Sequence, residues 1–452
     1  MYPLEPKEVH AINTKYRKIV TKIPVPESLE ILERLQKYEP RSMTGQPPIV
    51  WDRAEGVQVY DIYGNMWLDW SSGVLVTNSG HGRREVREAI IRQAEHGLLH
   101  NYCFPSEIRS LLAEKLVRLA PANIDKAFLL TTGGEATENA LKLARTYGHQ
   151  QGGKQKNVVI SYENAFHGRT LGAQMLGGMP GLKTWIIHQD PDIIQIPFPD
   201  GYRNLNTCFE DFEAELLKHA VNPDNVAGVI LETYQGATAC FAPVEYVQRL
   251  RQWCSQHNVL LIFDEVQAGF GRTGKFFAFE HYGIEADLIC CGKGISSSLP
   301  LSAVLGNSQV MDMYPPGAMT STHTGNPVCC AAALANLDLI LNEKLVENAA
   351  TVGEILGEGL RRIQQQHPDV IARVHGRGLV YGLLIVKKGT QEPDKTLAAN
   401  IVQRSFEQGL LFFSPVGEAT VKIAPPLIIS EEAIQEGLET LGRAIEQTVS
   451  PI

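Results

Sequence analysis

Apolar side chains gather in short runs through the middle of the chain, at 126–131, 157–162, 226–231, 259–263 and 287–291, unbroken at 259–263. Continuous runs of that length read as strands covered on both faces, whereas a half-exposed strand would alternate apolar with polar. Between several of them apolar residues recur at helical spacing, as at Ala140, Leu141, Leu143 and Ala144, which predicts helices over 136–147 and 244–257. Alternating strands and helices predict an α/β domain around a largely parallel sheet. Before it, the spacing predicts helices at 28–38, 84–95 and 107–119, and a small meander over 50–70 turning at Tyr63-Gly64-Asn65. After residue 327 a long helical stretch runs to 366. Strands follow at 376–386, 409–414 and 421–423, and a helix at 430–447 closes the chain.

These shifts divide the chain into three parts. An N-terminal arm and meander, 1–70, joins a smaller domain; 71–328 is the large domain; 329–452 is a C-terminal α+β domain. The arm is charged and proline-rich, has little to pack on within itself, and is expected to lie on another domain or subunit. At 452 residues there is ample chain for such a core. The net charge of −9 argues against nucleic acid or an anionic membrane as the main partner. No apolar window reaches the length of a membrane span, and the first residues lack a signal peptide's pattern. The eight cysteines lie mostly in apolar contexts, none in C-x-x-C spacing, so neither a zinc site nor a disulfide framework is indicated and a reducing cytoplasm is expected.

Candidate chemistry gathers at the ends of the apolar runs, where open α/β sheets bind ligands. The run Val259-Leu260-Leu261-Ile262-Phe263 ends in Asp264-Glu265-Val266-Gln267. The next run is followed by Gly292-Lys293-Gly294, and Lys293 is the only charged residue between Asp287 and Asp312. A lysine in such apolar company has its pKa pulled down and can serve as a nucleophile or form a Schiff base; the alternative is a lysine snorkelling out of a loop. Thr132-Gly133-Gly134-Glu135 joins a strand to a helix, the arrangement that offers free N–H groups to a phosphate, although glycine also starts helices for structural reasons. The loop Ala165-Phe166-His167-Gly168-Arg169-Thr170 could hold a planar ligand and a carboxylate, or be loop packing with a surface arginine. Two glycine patterns mislead. Gly269 to Lys275 fits both a dinucleotide fingerprint and a P-loop, but it neither follows a strand directly nor carries Ser or Thr after the lysine. The Asp264-Glu265 pair lacks the further ligands a metal shell needs.

An acid at a strand end, an isolated lysine, a Gly-Gly helix start and an aromatic loop are the parts that pyridoxal phosphate requires. The sequence resembles the class III (ω-) aminotransferases of pyridoxal-phosphate fold type I, in the branch of the 4-aminobutyrate, ornithine and acetylornithine aminotransferases. The matching pieces are Ser79-Gly80-His81, Thr132 to Ala140, Phe166 to Thr170, Asp264 to Gly274, Gly292-Lys293-Gly294 and Thr322 to Pro327. The resemblance implies a mostly parallel sheet with helices on both faces, plus a smaller α+β domain. It implies that Lys293 is the Schiff-base lysine and proton shuttle, and that Asp264 pairs with the pyridine nitrogen. Gln267 would lie near the ring hydroxyl, Phe166 on the ring face, and Gly133 and Gly134 at the phosphate. Thr322 would reach the phosphate of a partner subunit, so a homodimer or higher oligomer with shared sites is implied. Arg169 would hold a substrate carboxylate, and Val74 would line the substrate pocket.

The implied activity is ping-pong transfer of an amino group from an ω-amino acid or amine to a 2-oxo acid. An epimerase, racemase or lyase using the same lysine, or a cofactor-binding scaffold, are the alternatives. The chain departs from the family in two places. Where relatives read Glu-Pro-x-Gln-Gly-Glu, it has Glu232-Thr233-Tyr234-Gln235-Gly236-Ala237. The final glutamate of that motif gates an arginine whose place is taken here by Lys422. Lys422 is then a permanent cation, a partner of another acid such as Glu232, or a solvent-facing side chain.

Overall fold

The computed structural model describes residues 2–449, which fall into two compact units: the residues up to Arg83 together with those from Leu345 onward, and Arg84–Lys344.

The second unit is built on seven strands: β1 (Lys126–Leu130), β2 (Val158–Tyr162), β3 (Ile193–Ile196), β4 (Val226–Glu232), β5 (Leu260–Asp264), β6 (Leu288–Cys291) and β7 (Ser302–Gly306), in the order β1-β7-β6-β5-β4-β2-β3. The pairs β6/β5, β5/β4, β4/β2 and β2/β3 are parallel, and only β7 runs against its neighbours. Every residue of β4, β5 and β6 is buried, which is why their sequences are continuous apolar runs. β3 and β7 were not expected; β3 is only four residues long, and β7 is a run of small residues, Ser302-Ala303-Val304-Leu305-Gly306. Around the sheet run α1 (Arg84–His96), α2 (Glu107–Leu119), α3 (Gly133–Gly152), α4 (Val244–Gln256) and α5 (Pro327–Asn342). The core joins Ala136, Ala140, Leu143 and Ala144 of α3 to Ile230, Ile262, Cys290 and Val304 of the strands.

The cuts expected at 70 and 328 fall instead at 83 and 344. The reason is α5: it packs along α1 and α2, and shares with α1 a cluster of Val86, Ala332 and Leu339. The helical stretch expected to reach 366 is two helices, α5 and Leu345–Gln366, broken where Lys344 takes φ +54°, a conformation no right-handed helix continues through.

In the first unit, the meander Arg53–Glu55, Gln58–Tyr60 and Met66–Asp69 is antiparallel as expected. The arm is not left over: its hairpin Ile12–Asn13/Lys18–Ile19 extends that sheet through Lys18 opposite Met66. Arg17, 5% exposed, ties it down with Nε on Glu436 Oε1 at 2.7 Å and Nη1 on the Gln408 carbonyl at 2.7 Å. A second sheet joins Ile371–Arg377, Val380–Ile385 and Thr420–Ile423. The run expected as one strand at 376–386 is thus cut by a turn at Gly378, φ +57°. The strand expected at 409–414 pairs only over Leu410–Leu411. Among the described residues no helix is long and apolar enough to cross a membrane, and no group of three or more His, Cys, Asp and Glu side chains is placed to hold a metal.

Candidate active site

Chain direction sets the site. Because β4, β5 and β6 are parallel, Glu232, Asp264 and Gly292-Lys293 all emerge at one edge of the sheet, with Asp264 in register with Glu232 on one side and Cys290 on the other. Asp264 is 5% exposed, and a buried carboxylate must be supplied with donors. Its Oδ1 accepts the Val266 N–H at 3.0 Å, and its Oδ2 lies 2.8 Å from His167 Nδ1. A ring nitrogen facing a carboxylate carries the proton, so Nδ1 is the donor. His167 Nε2 is buried and has no hydrogen-bond partner among the described residues. Burial pulls the imidazole pKa down, but the hydrogen bond and charge of Asp264, and then the charge of Glu232, more than offset it and leave it raised. His167 lay in the aromatic loop without an assigned role. A contact spanning 97 residues leaves no trace in the spacing of one sequence.

The Gly-Gly segment is where α3 begins, three residues earlier than its apolar spacing predicts. The reason is a capping box. Thr132 Oγ1 accepts the Glu135 N–H at 3.3 Å, and Glu135 Oε2 accepts the N–H groups of Thr132 at 3.0 Å and Thr131 at 2.8 Å. Gly133 and Gly134 therefore occupy the first helical turn, whose N–H groups have no partner within the helix. Glycine is required at Gly133 by space: a Cβ there would lie 2.7 Å from Val266 Cγ1. A Cβ on Gly292, the residue before Lys293, would lie 3.0 Å from the same atom. Val266 thus wedges the helix start against the lysine turn. The aromatic loop crosses the same helix start, with Thr137 Oγ1 donating to the His167 carbonyl at 2.7 Å.

Lys293 sits in a left-handed conformation, φ +41°, directly after β6. Burial pulls its pKa below the ordinary lysine value, and the charges of Asp264 and Glu232 oppose the shift only in part. Phe166 is partly buried, and the exposed Arg169 guanidinium carbon lies 5.7 Å from the centroid of its ring. Gln267 reaches the same neighbourhood: a Cβ on Gly236 would meet its Nε2 at 3.2 Å. The fold therefore brings Gly133, Gly134, Phe166, Glu232, Asp264, Gln267 and Lys293 to one sheet edge. Thr322 is exposed, beside Ser321, whose Oγ donates to Glu135 Oε1 at 3.4 Å. Ala237 is buried.

Val74 and Lys422 belong to the other unit. Val74 is 43% exposed in the turn Ser72–Leu75, where four successive φ angles of +51°, +57°, +66° and +61° make a left-handed turn rare for a β-branched residue. Lys422 is 1% exposed on its strand, opposite Gly382, so it does not turn to solvent.

A family model described as aminotransferase class-III matches residues 40–445. The chain belongs to the class III aminotransferases. It is 34% identical to a 4-aminobutyrate aminotransferase of Mycobacterium leprae, covering 95% of this chain and 98% of that one. It is also 34% identical to a leucine/methionine racemase of Thermococcus litoralis, covering 92% and 95%. An aminotransferase structure from Bacillus anthracis superposes with a TM-score of 0.85 at 31% identity, over 93% of this chain and 99% of that one. Class III aminotransferases depend on pyridoxal phosphate, and this chain is a pyridoxal-phosphate-dependent transaminase of fold type I. The residues present fit that cofactor. A helix start free to bind phosphate, a buried carboxylate backed by an imidazole, and an amine of lowered pKa meet at one edge.

Proposed function

We propose that the chain transfers the amino group of an ω-amino acid to a 2-oxo acid, as a cytoplasmic homodimer with shared sites. The observation that carries the site assignment is the meeting of Asp264, Lys293 and the α3 start around Val266. Bound pyridoxal phosphate supplies a carbonyl that takes the amine and a ring that draws electrons from the adjoining carbon. Gly133 and Gly134 offer N–H groups to its phosphate, Phe166 covers one ring face, and Gln267 faces the ring hydroxyl. Asp264 holds a negative charge against the ring nitrogen, with His167 orienting it. Lys293 takes the proton from the donor's amine-bearing carbon and returns it; a lowered pKa supports this because a larger share of the amine is then neutral near pH 7. Arg169 holds the donor's distant carboxylate in a bidentate contact, which its exposure beside Phe166 supports. Thr322 completes the phosphate site of the partner subunit.

The test is a single turnover with one amino donor and no acceptor. Loaded enzyme should release one equivalent of carbonyl product per site and stop, then turn over continuously when a 2-oxo acid is added. The racemase relative gives the second reading: a racemase would invert a chiral 2-amino acid without releasing carbonyl product.

A further inference from the structure

Glu232 carries more contacts than a substrate ligand at a strand end needs. It is 6% exposed, and its two oxygens accept N–H groups from two different loops. Oε2 takes the Phe166 N–H at 3.1 Å and Oε1 takes the Gly236 N–H at 2.9 Å. The residue after Phe166 is His167, which binds Asp264, the register neighbour of Glu232. Two consecutive residues of the aromatic loop are therefore tied to two adjacent strand ends, one through its main chain and one through its side chain. Gly236 is shaped to this arrangement: a Cβ there would come within 2.6 Å of Glu232 Oε1, so any side chain would displace the carboxylate. The Glu232 charge also acts on both Lys293 and His167.

We propose that Glu232 is a positioning residue, holding the Phe166 loop over the cofactor's ring face and adding a second carboxylate to that of Asp264 at the end of the sheet where Lys293 emerges. It acts through Phe166 and Lys293 and not as a ligand of the substrate. This rests on the cofactor placement argued above.

Three variants separate the roles. Glu232→Gln keeps the shape and removes the charge. Glu232→Asp keeps the charge but is one methylene too short to reach both N–H groups. Gly236→Ala leaves Glu232 in place and pushes a methyl against it. Two measurements are made on the purified apoenzymes, with folding checked by circular dichroism. The first is the dissociation constant for pyridoxal phosphate, which should rise about ten-fold or more in all three, the loss expected for one charge-assisted hydrogen bond. The second is the rate of Lys293 acetylation at pH 7, read by mass spectrometry. It should rise about threefold in Glu232→Gln, because removing an anion lowers the amine pKa further, and stay near wild type in Glu232→Asp. A raised donor KM with an unchanged cofactor constant and unchanged labelling would make Glu232 a substrate ligand and overturn the proposal. If Glu232→Gln does not fold, Gly236→Ala alone decides through the cofactor constant. Wild-type turnover, measured alongside, tests the transamination separately, so either reading can fail without the other.

Discussion

At Lys293 desolvation and two nearby carboxylates pull the amine in opposite directions, and desolvation wins. Lys293→Ala removes both a nucleophile and a base while putting a small apolar group in their place. Turnover should be abolished with the fold retained; activity above about one-hundredth of wild type, the scale of a lost acid–base group, would refute the assignment. Asp264→Asn keeps the size and the hydrogen bond to the Val266 N–H but cannot hold a cation. Turnover should fall by about two to three orders of magnitude while cofactor still binds, measured as kcat beside a cofactor titration. Near-normal rates would mean that Asp264 does not face the ring nitrogen. Arg169 is exposed over Phe166, so it is free to offer both guanidinium N–H groups to a carboxylate. Arg169→Lys should raise the KM of an ω-amino acid well beyond that of an amine lacking a carboxylate. Equal losses for the two donors would mark a structural arginine. Asp264 and Lys293 stand out in the sequence as candidates because charge at the end of an apolar run is conspicuous, and Arg169 because it shares a loop with an aromatic ring and a histidine. The supporting His167 does not, because its importance comes from a contact.

Among elements, β5 and the loop leaving it do the organising, and Glu265 shows how. It is fully buried, and its carboxylate accepts the N–H groups of Ala278 at 2.8 Å and Phe279 at 3.0 Å and the Thr233 hydroxyl, closing the loop that carries Val266 and Gln267. Burial pushes its pKa from the ordinary 4.5 to about 7, against the opposing hydrogen bonds. A raised folded pKa means the folded state binds the extra proton. The Glu265 contribution is therefore fully present below pH 4.5 and is lost as pH rises to about 7. The lost stability is on the order of 3 kcal/mol. Thermal unfolding of wild type and Glu265→Gln between pH 5 and 7.5 should show a downward slope in wild type that is much weaker in the variant. Parallel slopes would mean the acid stays ionised throughout. Buried strands were legible from their continuous apolar runs, and α3 from its spacing. The start of α3 was misplaced because the capping box of Thr132 and Glu135 outweighs the low helix propensity of two glycines.

For the molecule as a whole, two departures from the family bear on substrate choice. Ala237 is buried and carries no charge, and Lys422 is buried at 1% exposure. We expect Ala237→Glu with Lys422→Arg, which returns the residues of the gated relatives at both positions, to sharpen the preference for 2-oxoglutarate over pyruvate, compared as kcat/KM for each acceptor. An unchanged ratio in the folded double variant would remove these positions from substrate choice. The class of fold could be read from the chain's own pattern, and the family and cofactor from its resemblance to the class III aminotransferases. Strand burial writes itself as apolar runs, and Gly133-Gly134, Asp264 to Gly274 and Lys293 stand at spacings local enough to see. Folding alone supplied the partners: His167 for Asp264, Glu232 for Phe166 and Gly236, Val266 between two glycines, the arm as part of a sheet, and Lys422 as a buried side chain. Each of these depends on which distant segments the sheet order brings side by side. Periodicity reports whether a residue faces a core, but it is silent on what that residue meets there.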